Sequence, residues 1–213
     1  AKGRAVLGAG LFALVAALVV VLINPFGGDL PDGWERKTEA ELGVSWAIPA
    51  GFKKIEPEVD PEEPVAITSA EYVSPDELYS IVVWHYNPDE RDALSAASDY
   101  TGGVRESTDY VDAEGRFYQR EFGSLDAAEA SLRARPMGDA YKEEDALANP
   151  RQQFLNLFVV APDNAQIWRV RISMPGEDGP AREYGEEMYE TVLSHLEFTA
   201  QKQIEPAEDP DDF

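Results

Sequence analysis

The chain has 213 residues and a formal net charge of −23 at pH 7, set by 41 acidic against 18 basic residues. A hydrophobic fraction of 44%, with 10% aromatics, supplies a folded core and excludes a wholly disordered acidic chain. The acidity argues against nucleic-acid binding, where Lys and Arg must replace phosphate counterions. The absence of Cys excludes a disulfide framework, a thiolate zinc site, a cysteine nucleophile and a lipid-modified cysteine.

Residues 5–23, AVLGAGLFALVAALVVVLI, contain no charged or strongly polar residue. As a helix rising about 1.5 Å per residue they reach roughly 29 Å, close to the hydrocarbon thickness of a bilayer. Helix is expected there because it satisfies the backbone within one segment. Lys2 and Arg4 precede the segment, while Asp29, Asp32 and Glu35 follow it. Residues 1–4 are therefore expected to be a short cytoplasmic end, with the bulk of the chain outside. A cleavable signal peptide is the rival reading. It needs a shorter apolar core and a small-residue cleavage site, and Asn24-Pro25-Phe26-Gly27-Gly28 offers no A-x-A pattern. The expectation is an uncleaved, single-pass signal anchor. Gly8, Gly10, Ala13 and Ala17 do not form a G-x-x-x-G helix-pairing motif.

Residues 24–41 read as a spacer broken by Pro25, Gly27, Gly28, Pro31 and Gly33. Trp34 suits either the membrane interface or packing on the domain. The folded domain is expected over residues 42–200. Val44 to Ile48 alternates as a strand, and Pro49-Ala50-Gly51-Phe52 turns the chain. Residues 53–64 read as a loop. Residues 65–73 and 78–86 read as a hairpin around Ser74-Pro75-Asp76-Glu77. A helix follows, with Asn87 as cap, Pro88 in the first turn, Glu90 three residues after the cap, and Gly102-Gly103 as its stop. Its apolar stripe is Ala93, Leu94, Ala97 and Tyr100.

Strands are expected over 115–122, 153–160 and 166–173, the last two joined by a turn at 161–165. Residues 127–135 fit helix by composition, but Ala130, Leu132 and Ala134 also fit a strand; strand is chosen because it completes a meander. Residues 137–150 read as a polar loop. The alternation of Phe154, Asn156 and Phe158, and of Val170 and Ile172, suggests an antiparallel sheet with one covered face. A second helix over 180–195 starts at Pro180 and carries Tyr184, Met188, Val192 and Leu196 on one stripe. Glu197-Phe198-Thr199 suits a short closing strand. Residues 201–213 read as an acidic, disordered tail. The order of elements is α+β, with helices laid on an antiparallel sheet.

Three stretches then carry a family likeness: Val44-Ser45-Trp46-Ala47-Ile48-Pro49-Ala50-Gly51-Phe52, Ile167-Trp168-Arg169-Val170-Arg171-Ile172, and Tyr189 to Phe198. They resemble the opening strand and turn, the last long strand, and the final helix of the PsbP-like and Mog-type α/β/α sandwich. The likeness extends to the actinobacterial extracytoplasmic branch with the LpqN and LpqT lipoproteins. It implies a small accessory or binding protein attached to larger machinery. It brings no shared site motif, so no functional residue is carried over. The lipoproteins' acylated Cys is missing, and residues 5–23 stand in for it as a tether.

Little in the sequence carries chemistry. His85 lies in an apolar strand and His195 ends a helix; neither sits in G-x-S-x-G or H-E-x-x-H. Glu143-Glu144-Asp145 and Glu186-Glu187 read as solvated acidic faces. Asp109 to Gly115 lacks the ligand spacing of a calcium loop. Trp46, Trp84 and Trp168 read as core. No catalytic, cofactor-binding or metal residue is assigned, and no cofactor is expected. The leading expectation is a membrane-anchored, non-catalytic extracytoplasmic accessory or scaffold subunit. Its partner would be a membrane-protein complex or a cell-envelope protein. Alternatives are a small-ligand module for lipid or glycan and a carboxylate-dependent hydrolase. All 41 acidic residues follow the apolar segment. This suits an outward-facing domain and a basic or cation-bridged partner surface, or adaptation to high salt.

Overall fold

The computed structural model describes residues 21–22, 29–55, 68–86, 92–138, 146–160 and 167–199. Most of the expected anchor lies outside these residues. So do Asn87, Pro88, Glu90, the turn at 161–165, the acidic triplet at 143–145 and the tail at 201–213.

The strands are β1 (Val21–Leu22), β2 (Trp34–Glu39), β3 (Val44–Pro49), β4 (Lys53–Ile55), β5 (Thr68–Val73), β6 (Ser80–Tyr86), β7 (Tyr110–Phe122), β8 (Leu125–Pro136), β9 (Gln152–Val160), β10 (Ile167–Pro175) and β11 (Glu197–Thr199). Helix α1 (Ala93–Glu106) precedes β7, and helix α2 (Pro180–Ser194) follows β10. The strands form two antiparallel sheets: a large one in the order β4-β5-β6-β10-β9-β8-β7 and a small one in the order β1-β11-β3-β2. The expected fold class, α+β with an antiparallel sheet and packing helices, is observed, but the single sheet of the α/β/α reading is replaced by two.

Several boundaries differ for physical reasons. Trp34–Glu39, placed in the spacer, pairs along the whole of β3. Trp34 packs partly against the core, so it belongs to the domain. Lys53–Ile55, expected in a loop, pairs with Val73–Glu71 of β5. Val21 and Leu22 are extended, so the expected helix does not include them. They pair with Thr199 and Phe198 at the edge of the small sheet, which offers them backbone partners. No helix of the described residues is long and apolar enough to cross a membrane.

Helix α1 starts later and ends later than expected. Asp92, not Asn87, is its cap and accepts from the Ser95 N–H at 2.7 Å. The helix passes through Gly102-Gly103 and ends where Ser107 turns extended. Burial of Thr101 and Val104 on the sheet outweighs the weak propensity of the two glycines. The buried stripe is Ala93, Ala96, Ala97, Thr101 and Val104, and Leu94 faces outward. In α2 the buried stripe is Gly185, Met188, Tyr189, Val192 and Leu193, and Tyr184 is exposed.

The ambiguous segment at 127–135 is a strand, inside β8. The large sheet is covered on both faces rather than one, and every residue of β9 after Gln152 is buried. On one face, Leu157, Val170 and Ile172 meet Trp46, Met188 and Phe198 from the small sheet and α2. On the other, α1 lies on β7, β8 and β9. Its alanines meet Ala128, Ala130, Leu132 and Phe158. A side chain cannot be added where layers touch most closely. A Cβ on Gly185 would lie 2.6 Å from the Met174 sulfur, and one on Gly115 would lie 2.8 Å from Leu132.

Candidate binding surface

The two histidines are built into the packing. His85 of β6 lies opposite Trp168 of β10, and the rings stack with centroids 5.1 Å apart. Burial depresses the His85 pKa below 6.5, so the ring is neutral at pH 7. His195 follows α2. Its Nδ1 lies 2.9 Å from the Thr191 carbonyl oxygen and 2.9 Å from the Ser194 hydroxyl. That hydroxyl donates to the Thr191 carbonyl at 2.8 Å. The adjacent serine and histidine therefore close the helix end. Among the described residues, no group of three His, Asp or Glu side chains is placed to hold a metal ion.

The close carboxylates are bridged by arginines. Glu129 of β8 is the buried acid of the described residues. Its Oε1 accepts from the Tyr118 hydroxyl, and its Oε2 accepts from Arg120. Arg120 also donates to Glu190 of α2 at 2.7 Å. Burial opposes the charge of Arg120, but the two carboxylates outweigh it and hold its pKa above the ordinary arginine value. Burial, then the bond to Glu129, pushes the Tyr118 pKa up to about 12. This cluster ties β7, β8 and α2 together. Asp112 and Glu114, from the segment with calcium-loop character, both accept from Arg151, at 2.6 Å and 3.1 Å. The strand bulges between Val111 and Glu114, and Asp112 takes a left-handed φ of 53°.

The sequence reading missed a stack of arginines and rings on the large sheet. In β10, Arg169 and Arg171 alternate with buried Trp168, Val170 and Ile172, so both project to the face that carries α1. The Arg169 guanidinium sits 3.7 Å from the Trp84 ring centroid and 4.7 Å from that of Tyr100. Arg171 sits 4.8 Å from the Trp84 centroid and 5.7 Å from that of Phe154. Trp84 is thus half-buried between cations, unlike Trp46 and Trp168 in the core. The readable signal was W-R-V-R-I, which puts two cations on one side of an otherwise apolar strand.

The far edge of the large sheet is β7, a strand of 13 residues, about 43 Å long at roughly 3.3 Å per residue. Phe117 and Tyr118 are exposed there, at 41% and 42%, on opposite faces of the strand. Arg105 donates to the Gly115 carbonyl and guards the edge near the bulge. Beside the strand runs a polar groove of about 560 Å³ lined by Arg105, Arg116, Arg133 and Arg182 with Glu114 and Glu186. Among the described residues no strand pairs with the outer edge of β7, and an edge with apolar side chains is a template for pairing with another strand.

No family model and no curated protein matches the chain. Solved structures do. Cyanobacterial PsbP (CyanoP) from Synechocystis sp. PCC 6803 is 14% identical with a TM-score of 0.53, over 81% of this chain and 96% of that one. The Ran-binding protein Mog1p of Saccharomyces cerevisiae is 13% identical with a TM-score of 0.52, over 76% of this chain and 94% of that one. LpqN of Mycobacterium tuberculosis is 12% identical with a TM-score of 0.42, over 81% of this chain and 82% of that one. The chain has the PsbP/Mog-like fold that the sequence resemblance implied.

Proposed function

We propose that the chain is a non-catalytic accessory subunit that docks onto a membrane-protein complex or a cell-envelope protein. The apolar segment at 5–23, up to the strand β1 at its end, anchors it as a single-pass protein. The N-terminus is cytoplasmic, and the domain at 42–200 is extracytoplasmic. The observation that carries this reading is the outer edge of β7, unpaired among the described residues, with Phe117 and Tyr118 exposed on it. Backbone groups along the edge supply affinity for an added strand, and the two rings supply side-chain contacts on both faces. The arginine-lined groove beside the strand gives an acidic chain a locally basic docking border.

An anchor raises the effective concentration of the domain near a membrane partner. Pairing of β1 with β11 ties the end of the apolar segment to the small sheet. Mog1p, a Ran-binding protein, shares this fold.

The test is purification of the chain, with residues 1–23 intact, from native membranes in mild detergent. A stoichiometric partner accompanies the native chain, and Phe117→Lys reduces its recovery about tenfold, as expected for loss of an interface anchor. No stoichiometric partner, or equal recovery with Phe117→Lys, overturns the proposal.

A further inference from the structure

A cavity of about 440 Å³ opens between the ends of β6, β9 and β10 and the start of β7. That volume lies within the range of small-molecule sites. Phe154, Tyr110 and Leu78 contribute apolar wall, and Arg171 contributes a cation. Arg171 makes ring contacts with Trp84 and Phe154, but its buried Nε has no hydrogen-bond partner. No carboxylate of the described residues forms an ion pair with it. Arg151 on the same cavity is engaged by Asp112 and Glu114. The Nε is shielded, so a carboxylate entering the cavity would take the Nη groups of this acid-free guanidinium in end-on bidentate geometry.

We propose that this cavity binds a carboxylate carried on an apolar stem, with the carboxylate on Arg171 and the stem on Phe154, Tyr110 and Leu78. The rings already stacked with Arg171 hold its planar fork in place, so little side-chain freedom is lost on binding. Tyr110 stays protonated, chiefly because burial raises its pKa, and its hydroxyl remains a donor at the cavity wall. The acidic rim does not forbid the ligand. Glu177 lies 3.6 Å from Arg135, which partly offsets it, and Glu77, the other acid of the lining, is exposed and screened by solvent. The diffuse negative charge of the rest of the chain is screened over about 8 Å at physiological salt. The same chemistry comes from two sources, a free arylalkyl acid or the C-terminus of an apolar peptide. The proposal is independent of docking at β7.

Isothermal titration of the full chain in detergent micelles tests it, with empty micelles as the reference. The probes are 4-phenylbutyrate, its uncharged amide, and acetyl-Ala-Leu-Phe with a free C-terminus. The acid or the peptide binds, and the acid form binds about tenfold or more tighter than its amide, as expected for a charge-assisted pair. Arg171→Gln lowers the affinity of whichever acid binds by about tenfold or more. Leu78→Asp places a like charge at the cavity mouth, on a residue 51% exposed, and also weakens binding. Binding by the free acid alone, or by the peptide alone, identifies the source. If Arg171→Gln fails to fold, as read by circular dichroism, the acid-to-amide ratio and Leu78→Asp decide. The proposal is overturned if neither acid binds up to about 10 mM. It is equally overturned if acid and amide bind alike, or if a folded Arg171→Gln binds as the native chain does.

Discussion

The two faces of the large sheet are packed by different means. The face under the small sheet and α2 is filled with large side chains, among them Trp46, Tyr189, Phe158's neighbour Leu157, and Phe198. The face under α1 is built largely from alanine, with Ala93, Ala96 and Ala97 of the helix set against Ala128, Ala130 and Ala134 of β8. Burying a large side chain contributes roughly 1.5–3 kcal/mol, and a methyl-sized increment contributes about 0.8 kcal/mol. The first face therefore supplies most of the stability. The second is a thin contact that lets α1 lie close to the sheet. It also leaves β6 and β10 free to carry Trp84, Arg169 and Arg171. One sheet thus separates the job of holding the fold from the job of presenting polar groups.

The largest effect expected is on the heavily packed face. Trp46 is wholly buried and makes an edge-on contact with Tyr72 at 5.8 Å. Trp46→Ala is expected to lose about 3–5 kcal/mol of unfolding free energy in chemical denaturation. A loss below about 1 kcal/mol breaks the claim that this face carries the stability. On the alanine face the damage comes from added volume instead. Ala130→Leu is expected to cost about 1–3 kcal/mol by overpacking under α1. A neutral or stabilising result shows that α1 rides on a looser contact than described.

The smallest effect is a pH dependence on the first face. Burial lowers the folded pKa of His85 below the unfolded 6.5. Below pH 6.5 the unfolded chain takes up a proton that the folded chain refuses. Stability from this group is therefore present above 6.5 and falls as pH drops toward the folded pKa. His85→Gln flattens that part of a stability–pH profile measured by urea unfolding. An unchanged slope shows that His85 does not titrate differently in the two states.

How much of this was readable varied by element. Strand β9 was legible because a run of apolar residues ends at turn signals, and α2 because Pro180 precedes a stripe with helical spacing. Strand β8 required a choice. Ala and Arg favour helix locally, but period-two burial of Ala130, Leu132 and Ala134 between two neighbouring strands settles it as strand. Strand β2 was illegible because WERKTE has no apolar alternation; it forms by pairing with β3. The arginine stack was visible as letters in W-R-V-R-I. Its aromatic partners come from β6, α1 and β9, which only the sheet order brings together.

By itself the sequence determined the α+β class, most of the long strands, the start of α2, the acidity and the absence of cysteine chemistry. These follow from periodicity, turn residues and composition, which act within a few residues. Tertiary structure decided that there are two sheets, that both faces of the large one are covered, and that α1 runs through two glycines. It also decided that Arg171 faces a cavity and forms no ion pair among the described residues. Each of those depends on contacts between segments far apart in the chain. Burial and pairing energies there outweigh local propensity, and no local pattern records them.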